Sequence, residues 1–69
     1  MERTAVESSN VISIGYQPDT LTMEMEFKGG NVYQYFDVPE HVFDGIIRAP
    51  SVGRFFHEQV RGIYRYARV

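Results

Sequence analysis

The sequence FKGGNVYQYF, residues 27–36, decides the fold of this chain, because its turn sets which side of a β-sheet the two tyrosines occupy. A two-residue turn at residues 29–30 places Tyr33 and Tyr35 on the same face as two glutamates of the preceding strand. A three-residue turn at residues 28–30 places both tyrosines opposite methionines instead. The choice turns every side chain of the following strand to the other face.

The three-residue turn is the preferred register. It sets Tyr33 opposite Met25 and Tyr35 opposite Met23, whereas the two-residue turn buries Gln34 without an evident hydrogen-bond partner. An amide buried in that way costs about 1–3 kcal/mol. The preferred register leaves two apolar residues of the new strand on the outer face, so the two-residue turn stays open as an alternative.

Two further strands precede this turn. Residues 21–27 alternate apolar and polar side chains, as a half-buried strand does, and residues 11–16 alternate in the same way. A four-residue loop at residues 17–20 predicts a hairpin that pairs Tyr16 with Leu21. The residues that this hairpin places on the apolar face are Ile12, Ile14, Tyr16, Leu21, Met23, Met25 and Phe27.

Two helices are predicted after the strands. Pro39 suits the first position of a helix that ends near Ala49, since Pro50 disfavours helical geometry before it. Ser51 is a good N-cap for a second helix over residues 52–61. The apolar residues available to cover the sheet are Phe43, Ile46, Ile47, Phe55, Phe56 and Val60.

The predicted fold is therefore α+β and forms one domain over residues 1–69. It consists of a three-stranded antiparallel β-meander with two α-helices packed on one face, in the order β-β-β-α-α. Residues 63–69 alternate apolar and basic side chains and can add a short C-terminal edge strand. Residues 1–9 lack periodicity and are expected to form a flexible arm.

Composition limits the classes of function. The chain has 69 residues and a net charge of −2. It has no cysteine, which excludes disulfides, thiolate nucleophiles and cysteine-based zinc sites. No stretch is apolar enough for a signal peptide or membrane span, so a cytoplasmic protein without a membrane partner is expected. Five of the seven cations lie between Arg48 and Val69, which indicates an anionic partner for that third or simply a solvated basic face.

The start of the second helix is the first candidate site. Ser51, Gly53 and Arg54 combine free backbone N–H groups, little steric cover and a positive charge, a pattern typical of anion binding. The alternative is that Ser51 only caps the helix and Gly53 only packs.

The basic tail can extend this site along a nucleic-acid backbone. Arg61, Arg65 and Arg68 would form a phosphate-tracking strip, with Tyr64 or Tyr66 as a platform for a base. Tyr33 and Tyr35 could also stack on bases, but buried tyrosines with their hydroxyls bonded at the core edge fit the pattern better.

Catalysis and metal binding are not expected. His41 and His57 belong to no recognised metal-ligand spacing, and no serine has a base beside it in the sequence. A monomeric, non-catalytic protein without a cofactor or metal is the prediction.

A set of residues lies in order along the chain: Ser8-Ser9, Ile12, Gly15-Tyr16, Leu21, Phe27, Gly30, Tyr33-Gln34-Tyr35, Val38-Pro39, Ala49, Ser51, Gly53, Phe55-Phe56 and Tyr64. In this order the set resembles the KTSC domain, a small family found at the C-terminus of some lysyl-tRNA synthetases and as a stand-alone bacterial protein. Pro50 departs from the small acidic or polar residue expected there.

The family has no established biochemical function, and its attachment to a synthetase implies RNA binding by association. The first hypothesis is therefore an RNA-binding accessory domain. The alternative is a protein-interaction module that docks a partner on an outer sheet face carrying Val11, Val32 and Phe36, or on a sheet edge.

Overall fold

The computed structural model of the protein describes all residues from Met1 to Val69 and has the α+β fold. Five antiparallel strands form one sheet in the order β1-β2-β3-β4-β5, and the two helices lie between β4 and β5 in the sequence. The elements are β1 (Arg3–Ala5), β2 (Val11–Gln17), β3 (Thr22–Phe27), β4 (Val32–Tyr35), α1 (Glu40–Arg48), α2 (Val52–Gln59) and β5 (Tyr66–Arg68). The sheet is therefore larger than the predicted meander of three strands with a possible edge strand.

The turn between β3 and β4 has the predicted three-residue form. Met25 lies opposite Tyr33, and the Phe27 amide donates a hydrogen bond of 2.8 Å to the Asn31 carbonyl. The turn glycines have φ angles of 95° and 88°, a region in which side chains are strained. Gln34 lies on the outer face, where its amide nitrogen donates to Glu24 Oε1 at 3.0 Å.

The hairpin of β2 and β3 differs from the prediction in its register. Tyr16 pairs with Met23 instead of Leu21, because the four-residue loop occupies residues 18–21. Leu21 adopts a φ of 55° in this loop and is 41% exposed, so its predicted place in the core is wrong. The shift is by two residues, which keeps the apolar faces of both strands together.

A β-bulge at the start of β2 produces a second correction. The register shifts between Val11 and Ser13, so Ile12 falls on the bulge and is 39% exposed. Val11, predicted on the outer face, is only 2% exposed and belongs to the core. One extra residue in a strand reverses the sides of its neighbours, which simple alternation does not reveal.

The N-terminal arm, predicted to be flexible, contributes strand β1. It pairs with β2, and the Arg3 guanidinium lies 3.4 Å from Glu24 Oε2 and 3.8 Å from Glu26 Oε1. Gly15 permits this approach, because a Cβ there would lie 2.6 Å from the Glu2 carbonyl oxygen. The strand covers an edge of β2 that would otherwise present unpaired backbone groups.

The helices cover the inner face of the sheet. Pro39 is the N-cap of α1 and Ala49 its C-cap, while α2 ends at Gln59, two residues before the predicted end. Phe43, Ile47, Phe55 and Phe56 are only partly buried around the core. The buried core consists of Val11, Ile14, Met23, Met25, Tyr35, Val38, Val42, Ile46, Val52 and Val60.

Candidate functional site

An aromatic pocket of about 370 Å³ opens on the inner side of the sheet, between strands β3–β5 and the end of α2. Five aromatic rings supply its apolar lining, and two polar side chains and one glycine complete it. The lining residues are Phe27, Asn31, Tyr33, Tyr35, Phe56, Arg61, Gly62 and Tyr66. A cleft of this size lined by aromatic rings and a few polar groups has the character of a ligand site.

The rings are held in place by contacts with one another. Phe56, from α2, packs edge-on against Phe27 and Tyr35 with ring centroids 5.4 and 5.6 Å apart. Tyr66, from β5, lies 5.9 Å from Tyr33 and 5.7 Å from Tyr35. Edge-to-face packing of this kind fixes ring orientation, so the walls of the pocket are formed before a ligand arrives.

Tyr35 is the most buried ring of the pocket. It is 6% exposed, and burial raises the pKa of its phenol to about 12. No protein group hydrogen-bonds the Tyr35 hydroxyl, although it is not sealed from solvent. The hydrogen bonds predicted for the tyrosine hydroxyls at the core edge are therefore not formed within the protein, and these groups are available to a ligand.

Two arginines flank the pocket. Arg61 follows α2, and its Nη1 lies 3.3 Å from His57 Nδ1. Arg68, on β5, donates from Nη2 to Asn31 Oδ1 at 2.6 Å. Both arginines are exposed, so their charges stand at the mouth of an apolar cleft.

The predicted anion site at the start of α2 lies on a different surface. Ser51 Oγ accepts the Arg54 backbone N–H at 3.2 Å, so it caps the helix. The Arg54 side chain is paired with Glu58 at 3.2 Å, and Gly53 faces Ser8 Oγ at 3.9 Å from its notional Cβ. Ser51 and Arg54 line a separate depression that shares no lining residue with the aromatic pocket. Gly53 lines another depression, which shares Phe27, Phe56 and Arg61 with the aromatic pocket.

The predicted strip of arginines is likewise divided. Arg65 pairs with Asp37 at 2.8 Å and lies over the Phe36 ring, 5.5 Å from its centroid. Arg65 and the half-buried Tyr64 line another depression, which adjoins the aromatic pocket through Tyr66. Of the residues singled out in the sequence, the structure brings together Arg61, Arg68, Tyr33, Tyr35 and Tyr66, and leaves Arg54 apart.

The two glutamates of β3 lie on the opposite face of the sheet. Glu24 and Glu26 face outward, where Arg3 binds both and Ser13 Oγ donates to Glu26 Oε1 at 3.1 Å. These acids therefore do not share a face with Tyr33 and Tyr35, which line the inner pocket. Sequence reasoning missed Asn31 as a pocket residue, because its polar side chain directly follows a turn and no pattern marks it.

Two other features bear on function. No group of three or more histidine, aspartate or glutamate side chains is placed to hold a metal ion. Neither helix has the length and apolar character needed to cross a membrane.

Comparison with known proteins places the chain in a family. The KTSC domain model matches residues 7–69. An uncharacterised protein of Stutzerimonas stutzeri is 39% identical over the whole chain and 99% of its own length. A lysine–tRNA ligase of a Nostoc species is 38% identical over 87% of this chain, which corresponds to 11% of the ligase.

A solved structure agrees with this assignment. The crystal structure of a KTSC domain protein from Yersinia pestis has a TM-score of 0.94 and 38% sequence identity. The match covers 99% of this chain and 96% of that one, so the resemblance seen in the sequence extends to the whole fold. The chain belongs to the KTSC domain family.

Proposed function

We propose that this domain is a non-catalytic module that binds single-stranded RNA, with one unpaired base in the aromatic pocket and neighbouring phosphates at Arg61 and Arg68. The observation that carries the proposal is the combination of five aromatic rings with flanking arginines in a single cleft. Proteins recognise single-stranded RNA by stacking splayed bases on aromatic rings and by pairing phosphates with cations.

Similarity to part of a lysine–tRNA ligase supports the choice of RNA over other anions. The matching segment is 11% of a protein whose name specifies a tRNA substrate. An accessory segment that contacts RNA would fit such a setting, and a stand-alone domain would use the same pocket on its own RNA. A cytoplasmic monomer acting in this way remains part of the proposal.

The chemistry of the pocket supports the proposal of a non-catalytic module. Its polar side chains are an amide, a guanidinium and phenols. None of these side-chain types ordinarily titrates near neutral pH, as a general acid or base must. These side chains are suited to holding and orienting a base.

The test is a titration of the ¹⁵N-labelled protein with a short single-stranded RNA, followed by proton–nitrogen NMR. Shifts are expected at Asn31, Tyr33, Arg61 and Tyr66, and the same RNA in duplex form should bind less because its bases are stacked. Two phosphate contacts predict a slope of about −1.4 in log K against log salt, so a fourfold rise in salt weakens binding about sevenfold.

A charge-reversal pair separates this site from general attraction. Arg61→Glu with Arg68→Glu should lower RNA affinity at least tenfold, because both phosphate contacts become repulsive. Arg48→Glu, at an exposed position in the last turn of α1, is the matched control and should have a small effect. A silent titration, or equal losses in the control and the pocket variant, would refute RNA binding at the pocket.

A protein-interaction module is the second candidate function, favoured by the free edge of β5. All three residues of β5 are exposed, and Ile63 and Val69 beside it are 59% and 65% exposed. The unpaired side of such an edge strand can accept a strand from a partner. The outer face of the sheet is the other candidate docking surface for a partner, and Val11 cannot belong to it because this residue is buried. Binding to a partner that persists at high salt would support the edge over RNA.

A further inference from the structure

We infer that the aromatic pocket selects a keto base, guanine or uracil, over the amino bases adenine and cytosine. The inference rests on the proposed RNA-binding function and adds base selectivity to it. Its physical basis is that the polar side chains of the pocket offer hydrogen-bond donors, while the one obligate acceptor among them, Asn31 Oδ1, already accepts from Arg68.

The hydrogen bond between Arg68 and Asn31 fixes the orientation of the Asn31 amide. A guanidinium can only donate, so the Asn31 atom 2.6 Å from Arg68 Nη2 must be the oxygen. The amide nitrogen Nδ2 therefore points away from Arg68 and keeps two N–H groups. Asn31 lines the pocket, so these N–H groups can donate to a ligand there.

Arg61 adds donors on the other side of the opening. It directs one nitrogen toward His57 Nδ1, 3.3 Å away, which must accept since guanidinium has no acceptor. A guanidinium carries five N–H donors, so those of Arg61 that are not directed at His57 can contact a phosphate and also form the fork that matches O6 and N7 of guanine.

The tyrosine hydroxyls do not remove the excess of hydrogen-bond donors over acceptors in the pocket. Burial raises the pKa of Tyr35 to about 12, which keeps its hydroxyl protonated and able to donate at physiological pH. A hydroxyl can also accept, so the tyrosines tolerate either kind of base edge. No carboxylate lines the pocket, because Glu24 and Glu26 occupy the outer face of the sheet.

A donor-lined pocket discriminates between bases through their exocyclic groups. Guanine presents the acceptors O6 and N7, and uracil presents the carbonyl O4. Adenine and cytosine present amino groups at the equivalent positions, which would face donors. A mismatch of donor against donor leaves both groups unpaired, so a preference of about tenfold for keto bases is expected.

The experiment compares GMP, UMP, AMP and CMP, which carry the same phosphate and sugar. Binding is followed by proton–nitrogen NMR, including the side-chain NH₂ signals of Asn31. GMP and UMP should bind about tenfold more tightly than AMP and CMP, and the Asn31 signals should shift most with the keto bases. An advantage of GMP over UMP would indicate that the Arg61 fork contacts O6 and N7, and equal affinity would indicate a single carbonyl contact.

Two conservative variants test the source of the selectivity. Asn31→Asp replaces the donor by an acceptor of the same shape and retains a partner for Arg68, so the keto preference should fall or invert. Arg61→Lys keeps the charge but removes the fork, so GMP should lose affinity more than CMP does. Arg48→Lys is the matched control and should leave all four affinities unchanged.

The outcomes separate this inference from the proposed function. Equal binding of all four nucleotides in the pocket, or tighter binding of AMP and CMP, would overturn base selectivity and leave RNA binding standing. If neither the nucleotides nor RNA shifted the pocket signals, both proposals would be refuted. The comparison of nucleotides uses the unaltered protein, so the result does not depend on whether a variant folds.

Discussion

Substitution of two isoleucines in strand β2 tests the bulge on which the core depends. Ile12 and Ile14 lie two residues apart, and simple alternation places both on the same face. The structure instead buries Ile14 completely and leaves Ile12 39% exposed. Ile14→Ala should therefore destabilise the domain far more than Ile12→Ala, although the two changes are chemically identical.

The expected difference follows from burial. Each change deletes three carbons, worth about 2.4 kcal/mol of transfer free energy when fully buried. At Ile14 a cavity adds to this loss and gives about 3–4 kcal/mol, whereas at Ile12 partial exposure and the absence of a sealed cavity limit it to about 1–1.5 kcal/mol. The loss of strand propensity is common to both and cancels in the comparison.

Urea unfolding followed by circular dichroism gives both free energies of unfolding from the same assay. A domain of this length is expected to have a stability of about 3–10 kcal/mol, so Ile14→Ala can leave it largely unfolded without denaturant. The pair Ile14→Val and Ile12→Val then gives a milder comparison, with about 1 kcal/mol expected at Ile14 and less than half of that at Ile12. Equal losses at the two positions would refute the bulge and the register that follows from it.

Two further predictions concern the sheet edge and the pocket. Gly15→Ala should displace β1, because the new Cβ would lie 2.6 Å from the Glu2 carbonyl oxygen. We expect the free energy of unfolding to fall by about 1–3 kcal/mol and amide hydrogen exchange in β1 to become faster. Unchanged exchange in β1 would contradict the packing of β1 against Gly15. Tyr35 should ionise near pH 12 in an ultraviolet titration, above its ordinary value of 10.0. Because the folded-state pKa of Tyr35 is raised above the ordinary value, the protonated phenol contributes to the free energy of unfolding below pH 10. That contribution is lost as the pH rises from 10 to 12, so the urea midpoint should fall in that window. Ionisation of every tyrosine near pH 10 would contradict the burial of Tyr35.

The register of the strands shows how far sequence reasoning reached. The turn at residues 28–30 was predictable, because only one register buries the tyrosines and leaves Gln34 outside. The cross-strand partner of Tyr16 was not predictable, since a register shift of two residues leaves every side chain of an alternating hairpin on the same face of the sheet. The bulge at Ile12 was hidden for a related reason, because Val11, Ile12 and Ile14 are all apolar and either of the first two fits the core.

The candidate site was predicted in part. Arg61, Tyr33, Tyr35 and Tyr66 were singled out by charge and residue type and line one pocket, beside which Arg68 binds Asn31. Tyr64 lines an adjoining depression instead. Arg54 was grouped with them because it shares their charge, but it lies on another surface and pairs with Glu58. Cations that lie close together in the sequence need not share a surface once the helices and strand β5 have packed on the sheet.

The sequence by itself determined the α+β class, the two helices with their boundaries at Pro39, Ala49 and Ser51, and the inward face of Tyr33 and Tyr35. These features depend on local patterns: alternation with a period of two, capping residues, and a turn that only glycine can form. The tertiary structure alone decided the place of β1, the bulge and the aromatic pocket. The place of β1 depends on its pairing with β2, and the bulge on the register of β2 against β3. The pocket depends on where α2 ends and on the return of β5 beside β4, and all three are set by contacts between segments apart in the sequence.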